Sequence, residues 1–290
     1  MALHRVSQAI ALAMMTLSLW GLFSLVPIEP EFRVVQASAV ILTMLALSGA
    51  VYLLLRIGSS GSAVYWSGAT RAGQVRRIGL MIVVMLGLQL LTGRVLDRLG
   101  VLDTFAAEAV YLLAFTLVPA GFLQFGLVKW PTRLCSASKL KLFVAGVVGI
   151  CAAAAWSYAA VDAAPVEMMG GPIGDWSVRM GSLIVGATAE EVIFRVLLLT
   201  ALLDLGGTRF QAVFLSSVAF GLMHAPPTLV QSVESWPMLL DAASAYAPLF
   251  LGQVVIGTFL GVLWLRSGSI VLIALTHAIF NVGTTLLYGL

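Results

Sequence analysis

The feature that most limits this chain is a run of long apolar stretches that recur from one end to the other. They fall at about 8–26, 34–55, 78–93, 109–128, 142–161, 180–203, 210–230, 246–265 and 269–288. Stretches of ~20 residues match the thickness of a bilayer's hydrocarbon core when helical. In hydrocarbon every backbone N–H and C=O must be paired within the protein, so only helices and closed barrels can cross. None of these stretches alternates with the period of two that a barrel strand needs, so they read as helices. Charged residues make up only 10% of the chain, against about 25% in a soluble domain. The predicted fold class is all-α: a polytopic helical membrane protein with about nine transmembrane helices.

The charges between the spans alternate in kind. One set of connections carries Arg5, Arg56, Arg71, Arg76, Arg77, Lys129, Arg133, Lys139, Lys141, Arg209 and Arg266, with Asp204 as its one acid. The other set carries Arg33, Arg94, Arg98 and Arg179 among ten acids. Lys and Arg accumulate on the cytoplasmic side, which predicts a multi-pass cell-membrane protein with a cytoplasmic N-terminus and an extracytoplasmic C-terminus. The net charge of +3 therefore reports topology, and no nucleic-acid partner is expected. The first span resembles a signal sequence, but Pro27-Ile28-Glu29-Pro30 follows it instead of a small-x-small site, so an uncleaved anchor is expected. Cys135 and Cys151 are expected to be buried thiols acting as small hydrophobes. The polar break at 162–179 separates an N-terminal helical region, 1–161, that carries no motif from a chemistry-bearing region, 175–290.

Nearly all charges lie between spans. The exceptions are Glu190, Glu191 and Arg195, in the middle of one span within Glu190-Glu191-Val192-Ile193-Phe194-Arg195. A charge at the bilayer centre costs about 2.5–3.5 kcal/mol, so three in six residues require partners or a wet cavity. Glu191 and Arg195 are four apart, share a helical face and can neutralise each other. Glu190 points about 100° away and lacks such a neighbour on its own helix. That makes it the candidate general acid/base.

Two of the three histidines also fall in late spans. His224 closes Phe220-Gly221-Leu222-Met223-His224 ahead of Pro226-Pro227, and His277 opens His277-Ala278-Ile279-Phe280-Asn281, with imidazole and carboxamide on one face. Counting ~1.5 Å per residue from the cytoplasmic marks Asp204, Arg209 and Arg266, Glu190, Glu191, His224 and Asn281 lie ~20–22 Å deep and His277 ~16 Å. Three helices thus carry polar groups to nearly one level.

The three motifs together resemble the CPBP family, which includes the CAAX prenyl endopeptidases, the bacteriocin-processing or immunity proteins and related glutamic-type intramembrane proteases. The resemblance covers about 175–290. It implies an intramembrane endopeptidase in which Glu190 activates water with help from His224, while His277 and Asn281 donate hydrogen bonds to the tetrahedral oxyanion. Glu191 and Arg195 would be a supporting pair. The substrate would be a membrane-associated or secreted protein or peptide precursor. No cofactor is expected on this reading; the alternative is zinc held by Glu190, His224 and His277. The metal-free version is preferred because no His-Glu-x-x-His pair is present.

Two other classes remain open. A proton-coupled transporter could use Glu190, His224 and His277 as a relay, although no second copy of the late helices appears, as an inverted repeat would require. A non-catalytic membrane immunity protein could keep the same residues for packing. Gly257 and Gly261 are read as an internal helix contact, and Trp20, Trp130, Trp176 and Trp236 as interfacial anchors.

Overall fold

The computed structural model describes residues 5–13, 64–65, 71–101, 104–131, 133–134, 139–162, 173–205, 208–225 and 236–288. The fold is all-α. Beyond a helical segment at 5–13, its helices are α1 (Arg71–Arg98), α2 (Thr104–Gln124), α3 (Lys139–Asp162), α4 (Ile173–Glu191), α5 (Thr200–Asp204), α6 (Arg209–Leu222), α7 (Trp236–Ser267) and α8 (Ile270–Tyr288). A π-helical segment, Val192–Leu199, continues α4 into α5. The only strands among the described residues are β1 (Val64–Tyr65) and β2 (Arg133–Leu134), paired antiparallel as a two-residue ribbon. The first expected span lies mostly outside the described residues and the second wholly so.

The expected third span, short in sequence at 78–93, lies within a 28-residue helix, because α1 extends through Arg71, Arg76 and Arg77 at one end and Arg94 and Arg98 at the other. Gly73–Arg98 and Phe105–Gln124 are each long and apolar enough to cross a membrane. Apolar residues lie on the outside of this part of the molecule as well as in its core. Leu80, Val83, Leu88 and Leu91 on α1 and Phe143, Val144, Val147 and Ile150 on α3 are exposed, at the i, i+3, i+4 spacings of one helical face. Gln74, Gln89, Glu190, Glu191, Arg195, Thr276 and His277 are buried. Exposed apolar surface of this extent marks a face that meets a membrane or another protein. Cys151 is exposed, against the expectation of burial. It lies on α3 next to outward-facing Ile150, on an apolar surface that accepts a thiol as a small hydrophobe.

The chain forms two compact units. One comprises Ser62–Ala201 with Leu263–Leu290, the other Met1–Gly61 with Leu202–Val262. In the first unit, α8 packs on α3 and α4, α2 packs on α1 and α4, and the π segment touches α1. Small residues set these distances. A Cβ placed on Gly149 of α3 would meet Thr276 Oγ1 at 3.0 Å and Leu263 Cδ1 at 3.1 Å, so the bare glycine lets α8 come close. A short turn launches α8: Gly268 takes φ +58°, its N–H bonds Trp264 O, and Ser269 Oγ accepts from the Leu272 N–H.

In the second unit, α6 starts on a reciprocal capping box. Thr208 Oγ1 accepts from the Gln211 N–H, and Gln211 Oε1 accepts from the Thr208 N–H. The helix ends at Leu222, before the Pro226-Pro227 pair, which lies outside the described residues. Gly221 faces α7 so closely that a Cβ there would sit 2.8 Å from Phe250 Cδ2 and 2.9 Å from Val254 Cγ2.

Candidate active site

Helix α4 turns Gly186, Ala187, Glu190 and Glu191 inward while Gly181, Ile184 and Val185 face out. Directly after Glu191 the backbone changes to π-helix, and every residue from Ile193 to Leu199 is buried. An i→i+5 segment of this kind is rare and tends to occur at functional sites. The Thr200 hydroxyl donates to Arg195 O across five residues, meeting a carbonyl inside this irregular stretch.

The charges inside the span are fully enclosed. Arg195 Nη1 lies 3.1 Å from Glu191 Oε1 with both side chains at 0% exposure, so the expected pair is present. The same Glu191 oxygen lies 2.8 Å from Nδ1 of His277 on α8, a residue 86 positions away. A guanidinium can only donate, and it shares this oxygen with the imidazole, so the ring proton is assigned to Nδ1. His277 Nε2 then faces Glu190 Oε2 at 3.5 Å. His277 therefore bridges both glutamates.

The other Glu190 oxygen, Oε1, accepts a hydrogen bond from the Tyr111 hydroxyl of α2. Glu190 thus takes its hydrogen bond from a neighbouring helix, α2, and faces an imidazole from another, α8. A cavity of about 100 Å³ opens at this carboxylate, lined by Glu108, Tyr111, Ser182, Gly186, Glu190 and Asn281, among others. Asn281 is therefore brought to Glu190's cavity, one helical turn from His277 on α8. Ser182 Oγ donates to Glu108 Oε2 at 3.4 Å across the same cleft. Glu108 was counted by charge as a loop residue; it lies inside α2, because that helix begins five residues before the apolar stretch does.

His224 is described in the other unit. It follows α6, half-buried, with Nδ1 3.1 Å from Phe220 O and its ring edge-on to Phe220 at 5.2 Å between centroids. Gly257 and Gly261 are buried. Trp130 is exposed; Trp20 and the side chains of Trp176 and Trp236 lie outside the described residues. Among the described residues, no group of three His, Cys, Asp or Glu side chains is arranged to hold a metal ion.

Tyr111, Glu108 and Ser182 belong to no sequence motif. Tyr111 lies 79 positions from Glu190, in a region with no motif, and a tyrosine at the edge of an apolar stretch carries no local signal of what it faces.

Residues 172–283 match the family model described as type II CAAX prenyl endopeptidase, Rce1-like. This match bears out the resemblance to the CPBP-type CAAX proteases for that segment, which is less than half of the chain and contains all three motifs. No curated protein and no solved structure matches the chain significantly.

Proposed function

We propose that this protein is a multi-pass intramembrane endopeptidase that hydrolyses a peptide bond of a membrane-associated or secreted protein or peptide precursor. Its topology on this reading is nine helices with the N-terminus in the cytoplasm. The observation that carries the proposal is a buried glutamate, Glu190, facing a histidine at 3.5 Å and opening on a cavity, within a segment matching a CAAX endopeptidase family.

In this reading Glu190 takes a proton from water as the water oxygen bonds to the substrate's carbonyl carbon. Asn281 hydrogen-bonds the oxyanion that forms, and His277, its Nδ1 held by Glu191, joins it through Nε2 when that nitrogen also carries a proton; assistance from His224 is what the family resemblance implies. The proton held by Glu190 passes to the leaving nitrogen as the C–N bond breaks. Glu191 and Arg195 hold His277 in place from the far side. A water-admitting cavity among lipid-facing helices is what such chemistry requires, and the cavity at Glu190 and Asn281 supports it.

The test is the Glu190→Ala variant, expressed in membranes and assayed on a farnesylated peptide with a CAAX terminus and on total membrane and secreted peptides. Accumulation should equal that of the wild type, and cleavage should fall by on the order of 10³-fold or more. Cleavage by the purified wild type should persist in excess chelator. Undiminished cleavage by Glu190→Ala removes Glu190 from the mechanism.

A further inference from the structure

The family match begins at residue 172, yet the closest hydrogen-bond partner of Glu190 comes from α2, well outside it. We infer that Tyr111 is a positioning residue for Glu190, and that Gly186 exists to give its ring room; the inference rests on the proteolytic reading above.

Three observations support the inference. First, the Tyr111 hydroxyl donates to Glu190 Oε1, while His277 Nε2 faces Oε2. A carboxylate on a flexible side chain can rotate about its last bonds, and a hydrogen bond to one of its oxygens restrains that freedom. Second, the ring has a slot. Gly186 stands one turn before Glu190 on the buried face of α4, and a Cβ there would lie 3.1 Å from Tyr111 Cε1 and 3.5 Å from its hydroxyl oxygen. A methyl at 186 would require the ring to give by a few tenths of an ångström, beside the hydroxyl that meets Glu190. Third, the ring is held from behind on its own helix. Phe115 lies one turn along α2, with centroids 4.4 Å apart and planes tilted by 32°. Tyr111 also lines the cavity, so it acts where water and substrate would enter.

A tyrosine serving only to pack α2 on α4 would be replaced by phenylalanine at little cost, since that change removes one oxygen and keeps the ring. A tyrosine that orients the base loses its function in the same replacement. The N-terminal region thereby supplies part of the site and is more than an anchor.

Two measurements decide the matter. The first needs no substrate: protein carrying ring-carbon-13 tyrosine in lipid nanodiscs is studied by infrared spectroscopy, with the Tyr111 C–O band identified by its loss in Tyr111→Phe. That band should shift in Glu190→Ala; a band unmoved by that change means the hydrogen bond does not exist, and the inference is overturned. The second is kinetic, on the farnesylated CAAX peptide. Tyr111→Phe should lower kcat by on the order of 10-fold to 100-fold with KM unchanged, and Gly186→Ala should lie between it and the wild type. Equal kcat for Tyr111→Phe and wild type sinks the positioning role even if the band shifts. A wild-type protein that leaves every peptide uncut while the band shifts as expected refutes the protease reading and leaves the Tyr111–Glu190 pair standing.

Discussion

Helix α1 and the segment running from α4 through the π-helix are both apolar and both carry charges, but the charges sit in opposite places. On α1 they stand at the ends: Arg71, Arg76 and Arg77 on one side, Arg94, Asp97 and Arg98 on the other. The end pair Arg94–Asp97 is long, at 4.0 Å, and half-exposed on the acid's side, while Arg77 donates to Leu127 O at 3.2 Å. On the other segment Glu190, Glu191 and Arg195 stand at mid-span and are buried. Charges at the ends of a span cost little and orient the helix; charges at its middle are costly and persist where other helices meet them. The glycines tell the same story. Nothing lies within 4 Å of a Cβ added at Gly79 or Gly87 of α1, or at Gly181 on the outer face of α4, whereas Gly186 on the buried face of α4, like Gly149 of α3 and Gly221 of α6, faces close neighbours. One region is built for its surroundings, the other for its contents.

This contrast can be broken or sharpened by substitution. After the loss of cleavage in Glu190→Ala, the largest effect is expected from Arg195→Leu, which leaves Glu191 buried without its guanidinium. Breaking a buried pair from one side costs about 3–5 kcal/mol, so the variant should show a large fall in thermal midpoint in detergent and low accumulation. A midpoint equal to wild type would mean that Arg195 is not holding Glu191.

Next comes Gly221→Ala. The added methyl must displace Phe250 and Val254, an overpacking worth roughly 1–3 kcal/mol, readable as a lower midpoint. Gly79→Ala on α1 is its control and should be neutral or slightly stabilising, since the methyl meets nothing. Equal effects at the two sites would erase the distinction drawn here. The smallest effect is expected from Asp97→Asn. Losing a 4.0 Å pair with its acid half-exposed should change stability by less than about 1 kcal/mol, checked by the same thermal measurement.

Much of the candidate site was legible because its residues are out of place in their own segments. A glutamate pair and an arginine at mid-span, and histidines in late spans, stand out against apolar neighbours without any knowledge of the fold. The Glu191–Arg195 pair needed only a spacing of four, and the structure has it at 3.1 Å. The shared depth of Glu190 and Asn281, counted from helix rise, anticipated that they would line one cavity. Less legible was anything that depends on where a helix begins. Glu108 was placed in a loop because hydropathy marks the apolar part of a helix, while backbone hydrogen bonding continues past it. The π-helical stretch carries no sequence signal, since its residues occur in ordinary helices and all but Val192 are buried.

What the sequence determined by itself was a helical chain suited to lipid, and the few residues too polar to be there without a purpose. Hydrophobic length and charge position are local properties, read one segment at a time. Only the tertiary structure decided which oxygen of Glu190 meets Tyr111 and which meets His277, and that Glu191 is shared between Arg195 and His277. These contacts join α4 to residues 79 and 86 positions away, so they depend on how closely bare glycines let α2, α3, α4 and α8 approach. Interhelical distance is a sum over many packed side chains, and no single stretch of sequence carries it.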